Sequence, residues 1–188
     1  MSMSKNVGRL LVAGALTLCA GLAAKDKNHN DVFLAGPQDE ARIAKEVRHQ
    51  LLMLPYYGVF DDLAFRVNET TVTLLGRVVW PALKSDAANV VKRIEGVTKV
   101  INEIEVLPPS PMDDQIRRAV YRAIYLDPVL STRYGFRALP SIHIIVKNGR
   151  VDLEGVVANE ADKNLAYLRA NGVPNVFSVT NDLVVEGR

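Results

Sequence analysis

From residue 39 onward the apolar side chains fall into two patterns that occur twice in the same order. Ile43, Val47 and Leu51 stand four apart, and so do Ile116, Val120 and Ile124. That spacing puts each trio on one face of a helix and predicts helices over 39–54 and 113–126. Asp39 and Asp113 lie at their starts, where a carboxylate caps free N–H groups or complements the helix dipole. Pro55 and Pro128 mark the exits. Alternation follows: Ile142, Ile144 and Val146 interleave with His143, Ile145 and Lys147, and Val151, Leu153, Gly155 and Val157 form a returning strand. Asn148-Gly149 between them supplies the two positive-φ positions of a type I′ hairpin turn. Residues 65–74 repeat this design with Glu69-Thr70 as a weaker turn. Second helices are predicted at 81–94 and 159–170, and last strands at 98–106 and 177–185.

The recurrence is one of sequence as well as pattern. The helical trios are related by 73 positions. Val72-Thr73-Leu74-Leu75-Gly76 matches Val151-Asp152-Leu153-Glu154-Gly155 at 79, as Asn102-Glu103-Ile104 matches Asn181-Asp182-Leu183. Gly96-Val97 likewise precedes its last strand as Gly172-Val173 does. Leu107-Pro108-Pro109-Ser110-Pro111 separates the copies, because so many prolines continue neither helix nor strand. The chain therefore reads as α+β: two small repeated domains, each α-β-β-α-β, with a three-stranded mixed sheet packed against two helices. The expected boundaries are 39–107 and 112–186, joined by a Pro-rich linker at 108–111 and preceded by a polar linker at 25–38.

The copies resemble the BON domain of bacterial osmotically inducible and nodulation proteins. In the second copy the resemblance rests on Asp114, Ile116, Asp127-Pro128, the run from Val146 through Asn148-Gly149 to Gly155, Ala166, Gly172-Val173 and Asn181 to Val185. In the first it rests on Val72 to Gly76, Ala87, Glu95-Gly96-Val97, Val100 to Asn102 and Ile104 to Val106. The first copy departs from the pattern at Glu69-Thr70, and the second at Pro174-Asn175, where its helix and strand edges shift. The resemblance implies a non-catalytic envelope module, periplasmic or attached to the outer membrane, associated with osmotic stress and binding phospholipid or partner proteins.

The amino terminus fits that compartment. Lys5 and Arg9 precede an uncharged apolar run from Leu10 to Ala24, shorter than the roughly 20 residues of a membrane span. Small residues at Gly21, Ala23 and Ala24 and an abruptly polar sequel complete the layout of a secretory signal peptide over 1–24. A retained anchor is one alternative and lipidation at Cys19 another, though Leu18 stands before it where lipoboxes prefer Gly, Ala or Ser; the cysteine marks how the terminus is processed. The 188 residues carry 23 basic and 21 acidic side chains, a formal +2. Both surplus charges are Lys5 and Arg9, so the remainder is neutral. A single cysteine excludes an intramolecular disulfide.

Searches for chemistry turn up little. There is no phosphate loop, nucleophile elbow or His-Glu-x-x-His. His29, His49 and His143 recur at no metal spacing, and Asp61-Asp62 and Asp113-Asp114 stand at element boundaries, where capping or solvation accounts for them. No catalytic residue, metal, cofactor or small-molecule substrate is expected, and export with a neutral remainder disfavours nucleic acid. Gly76, Gly155, Asn148 and Gly149 read as strand and turn positions, Gly96 and Gly172 as left-handed helix stops. Trp80 reads as a partly buried packing residue. One stretch stands out. At about 100° per residue, Ile116, Ala119, Val120, Ala123 and Ile124 form the core face of 113–126. Arg118, Tyr121, Arg122 and Tyr125 lie opposite, flanked by Arg117, and Arg133, Tyr134, Phe136 and Arg137 follow. Guanidinium groups beside tyrosines suit an interface with anionic phospholipid or an envelope protein, and equally a solvated face with its tyrosines tucked over neighbours. An interaction module bridging envelope partners is thus the alternative to a lipid-binding one.

Overall fold

The computed structural model describes residues 37–137 and 139–187; the expected leader and all but the end of the polar linker lie outside them. In the first repeat, α1 (Pro37–Leu52) leads into β1 (Asp62–Asn68), β2 (Thr71–Val78), α2 (Pro81–Val91), β3 (Lys99–Asn102) and β4 (Glu105–Val106). In the second, α3 (Pro111–Tyr125) and a short α4 (Pro128–Tyr134) precede β5 (Ile142–Lys147), β6 (Arg150–Val157), α5 (Glu160–Asn171), β7 (Ser178–Asn181) and β8 (Val184–Val185). Each hairpin is antiparallel, while β3 and β4 run parallel to β2, and β7 and β8 parallel to β6. Both repeats are thus mixed sheets with the returning hairpin strand in the centre.

The expected last strand is in each copy two short pieces. Ile104 and Leu183, both about 1% exposed, turn into the core at the break. The preceding asparagine holds the break in place. Asn102 Nδ2 donates to the Lys84 carbonyl at 2.9 Å and Asn181 Nδ2 to the Lys163 carbonyl at 3.0 Å, so each ties the last strand to its helix. A second shared brace secures the hairpin. The Asp113 carboxylate accepts the N–H groups of Asn148 and Gly149 at 2.9 and 2.8 Å, and Glu40 accepts that of Glu69 at the equivalent place. Asp113 is therefore a buried hairpin clamp, and Ser110 is the N-cap of α3, its hydroxyl accepting from the Asp113 N–H at 3.2 Å. Glu69 takes φ 54 and Asn148 φ 53, so both turns enter through a left-handed residue.

Two further expectations change. Pro128 ends no helix; with Asp127 as N-cap it opens α4, which buries Leu130 and Tyr134. Gly96 is left-handed at φ 90, but Gly172 caps α5 at φ −79, and Asn175 takes the positive φ of 69. The longer 172–176 stretch simply postpones the turn. Gly76 and Gly155 need glycine for a different reason. Each has φ 115, and a Cβ would lie 2.2 Å from the carbonyl oxygen of Asp62 or Ser141 on the partner strand.

The helices of each repeat cover one sheet face. Ile43, Val47, Val72, Leu74, Leu83 and Ala87 centre the first core, and Ile116, Val120, Ile144, Leu153, Ala166 and Leu183 the second. The repeats nonetheless form one compact unit. Val59 and Phe60, from the loop after α1, pack against the second repeat's core. Arg77 pairs with Asp152 and Glu154, and Lys147 with Glu105. Ile145, on the face away from the helices, is fully buried in consequence.

Gly76→Ala and Gly155→Ala should each lower unfolding free energy by about 2–4 kcal/mol, the sum of left-handed strain and a backbone clash. Gly172→Ala, whose added Cβ would meet nothing nearer than 3.5 Å, should change it by less than about 1 kcal/mol. Urea denaturation of the three variants checks the contrast.

Candidate functional site

The candidate residues divide by the side of the second repeat on which their atoms end. Arg117 is 3% exposed; its Nη1 bonds the Asp114 carboxylate at 2.5 Å and its Nη2 the Val146 carbonyl at 2.7 Å. Tyr125, placed by the helical wheel on the outer face, is 7% exposed. Its hydroxyl donates to the Ile142 carbonyl at 2.6 Å and accepts from the Ile142 N–H at 3.3 Å. Burial, which outweighs that backbone bond, pushes the phenol up to about 12. The reason for the correction is that α3 lies across the end of β5, so a residue at the helix's last turn meets strand backbone rather than water. Tyr134 is 2% exposed, donating to Asp162 at 2.7 Å and accepting from the Ala158 N–H at 2.9 Å. Arg133 grips both oxygens of the same buried carboxylate at 2.5 and 2.6 Å. Arg137 lies over the Tyr134 ring at 5.5 Å.

What remains outward on α3 is Arg118, Tyr121 and Arg122. Among the described residues neither guanidinium has an ion pair; Arg122 Nε donates to the Arg118 backbone carbonyl at 3.1 Å, which lays the Arg122 side chain back along the helix. Tyr121 is half-exposed, stacked on Tyr125 at 4.9 Å and edge-on to Phe60 at 6.2 Å. This outward strip continues into residues the helical wheel of α3 alone did not reach. Leu126 and Leu168 are 69% and 63% exposed and, with Arg122 and Arg169, line a shallow groove of about 630 Å³ between α3 and α5. The signal for Leu168 was present: Ala166 and Ala170 mark the core side of α5, leaving Tyr167 and Leu168 outside.

The groove wall is fixed by Asp127. Its carboxylate accepts the N–H groups of Val129 and Leu130 and the Arg169 Nε at 2.9, 3.1 and 2.7 Å. Desolvation opposes the charge, but the backbone donors and Arg169 together outweigh it and hold the carboxyl below the usual range.

A second concavity lies between the repeats, about 670 Å³ in volume and lined by Tyr56, Trp80, Pro108 and Pro109. Trp80, expected to be partly buried, is 62% exposed in the wall of this concavity. Tyr56 is left-handed at φ 70. Beneath them Asp61 accepts from Val79 and Gly58 at 2.8 and 3.2 Å. Burial raises its pKa, with these bonds and the nearby His143 and Arg117 pulling the other way. His143 is enclosed, stacked on Tyr57 at 5.4 Å with Nδ1 at 3.2 Å from the Gly58 carbonyl. His49 lies exposed on α1, and His29 falls outside the described residues. Among the described residues no three His, Cys, Asp or Glu side chains cluster as metal ligands would, and no helix is long and apolar enough to cross a membrane.

These observations define a tandem α+β module whose distinctive exposed chemistry is a cationic and apolar strip. Residues 39–108 and 112–187 each match the BON domain, and the chain belongs to that family. It is 28% identical over 124 residues to osmotically-inducible protein Y of Escherichia coli (strain K12), a match covering 65% of this chain and 61% of the relative. The chain therefore matches less than two thirds of that relative's length. Among solved structures it is similar to CdsD, a structural protein of the type III secretion system of Chlamydia trachomatis. The CdsD C-terminal domain is 13% identical with a TM-score of 0.30 over 75% of this chain and 96% of that one. A further CdsD structure is 12% identical with a TM-score of 0.31 over 77% and 92%. Likeness at that level carries no argument here.

Asp127→Asn should cost about 1–3 kcal/mol at pH 7 through the lost charge-assisted bonds. A carboxyl held low in the folded state stabilises above its unfolded pKa, and that stabilisation fades as pH falls through the folded value. The wild-type advantage should therefore shrink in acid, which thermal unfolding of both proteins from pH 7 to pH 3 measures.

Proposed function

We propose that this protein is a non-catalytic module of the bacterial envelope. It rests on anionic phospholipid surfaces through its second repeat and supports envelope integrity under osmotic stress. The observation that carries the reading is the outer side of α3, where Arg122 shares a groove with exposed Leu126 and Leu168 and exposed Arg118 and Tyr121 lie one turn earlier, neither guanidinium having an ion pair among the described residues. A guanidinium matches a lipid phosphate in charge and geometry. Aliphatic side chains beside it can enter the acyl boundary while the tyrosine stays at headgroup depth. With the chain beyond residue 24 formally neutral, attraction to anions depends on this local arrangement. The signal-peptide layout of residues 1–24 supports a place outside the cytoplasm, and the inducibility named for the Escherichia coli relative supports the link to osmotic stress.

Each basic side chain near an anionic surface contributes about 1 kcal/mol. Replacing Arg118 and Arg122 together by alanine should thus weaken binding to phosphatidylglycerol- or cardiolipin-rich vesicles roughly 30-fold, with a similar loss for Leu126→Ser/Leu168→Ser. Exchanging Lys45 and Arg93 of the first repeat should have little effect. Binding should fall as salt rises, since exposed charges are screened. Co-sedimentation reads all of these; a wild-type protein that stays in the supernatant at low salt sinks the proposal.

A further inference from the structure

The two hairpins are equivalent, but their outer edges are not treated alike. Residues 142, 144 and 146 of β5 point their backbone groups away from β6. The Tyr125 hydroxyl serves Ile142, the Val59 carbonyl accepts the Ile144 N–H at 2.7 Å, and Arg117 serves the Val146 carbonyl. In β1 the same register places Leu63, Phe65 and Val67 at the outer edge. Leu52 stands where α3 has Tyr125, and Ala44 where it has Arg117. The Tyr57 hydroxyl reaches the Leu63 backbone. Among the described residues nothing outside the sheet bonds the backbone of Phe65 or Val67. Alongside the first half of β1 runs a groove of about 470 Å³, walled on one side by Leu52, Leu63 and Phe65 with Arg48 at the rim and on the other by Pro140 and Val156 of the second repeat.

We infer that the β1 edge is a docking site for an extended polypeptide segment that adds as a strand, with apolar side chains at alternate positions and acidic residues at one end. An open strand edge offers directional N–H and C=O groups that only another backbone satisfies in series. The chain itself shows what fits such an edge. At β5 the occupant is the loop segment Tyr57-Gly58-Val59-Phe60, whose Val59 gives its carbonyl to the strand while Val59 and Phe60 pack on the core behind it. Acidic residues are favoured at the end of the segment that meets Arg48 and Arg66, both exposed, and disfavoured at the end beside Asp62 in the groove lining. The strand edge belongs to the first repeat, its groove is shared with Pro140 and Val156 of the second, and the proposal is independent of the lipid reading.

The test uses the intact protein and a synthetic peptide with the sequence of Tyr56–Asp62, followed by amide hydrogen exchange. Exchange at Phe65 and Val67 should slow roughly tenfold or more on saturation, with Ile144 unaffected. N-methylation of the peptide's valine should weaken binding by about tenfold or more, since it removes an edge donor. So should Val67→Pro, which deletes an outer N–H that an edge strand can spare, and Leu52→Asp, which charges the groove wall without touching the strand. Unchanged exchange at Phe65 and Val67 at millimolar peptide overturns the inference, as does binding indifferent to both variants and to N-methylation. Protection of those amides by self-association before peptide is added, or by phospholipid vesicles alone, overturns it in favour of a second copy or a membrane.

Discussion

Strand β5 has a sheet partner on one side only, and its other side faces the protein interior. Ile142, Ile144 and Val146 therefore bring N–H and C=O groups into a region from which water is largely excluded, where an unmet polar group costs about 1–3 kcal/mol. Much of the architecture between the repeats answers that demand. Tyr125 comes in from the end of α3, Arg117 from its first half, and the carbonyl of Val59 from the other repeat. Once Val59 is held there, Phe60 reaches the second core, Tyr57 stacks on His143, and Arg77 meets Asp152 and Glu154. Two units that each have their own core thereby become one body.

The same demand sets what the surface can offer. A guanidinium that holds a buried carbonyl and a phenol that caps a strand are withdrawn from solvent, so half of a helix face rich in arginine and tyrosine serves folding. Buried Asp162 withdraws Arg133 and Tyr134 in the same way. The residues left over, Arg118, Tyr121 and Arg122, gain apolar company from Leu126 and Leu168, which come from the end of one helix and the outer side of another. The outward chemistry is thus narrower in charge and richer in aliphatic surface than α3 alone suggests.

Elements and repeat were legible because they rest on short-range rules. Four-residue spacing of Ile43, Val47 and Leu51 makes a helix face wherever it occurs, and Asn148-Gly149 specifies its turn by local backbone preference. Departures occur where neighbouring residues override a single-residue rule. Pro128 follows the end of one helix, yet Asp127 lets it begin another. Gly172 precedes a strand as Gly96 does, but a longer connection moves the left-handed residue to Asn175. Trp80 is apolar and aromatic, yet it stands largely exposed in the concavity between the repeats instead of packing partly into a core.

By itself the sequence determined that there are two copies of one α+β unit, and that the chain past residue 24 carries no net charge. Periodicity, turn chemistry and charge are properties of neighbours along the chain. Which arginines and tyrosines face water, and how the copies are joined, was decided only in three dimensions. Tyr121 and Tyr125 are one helical turn apart and chemically identical; one ends at solvent and the other against the backbone of Ile142, because hydrogen-bond satisfaction is settled between residues that only the fold brings together.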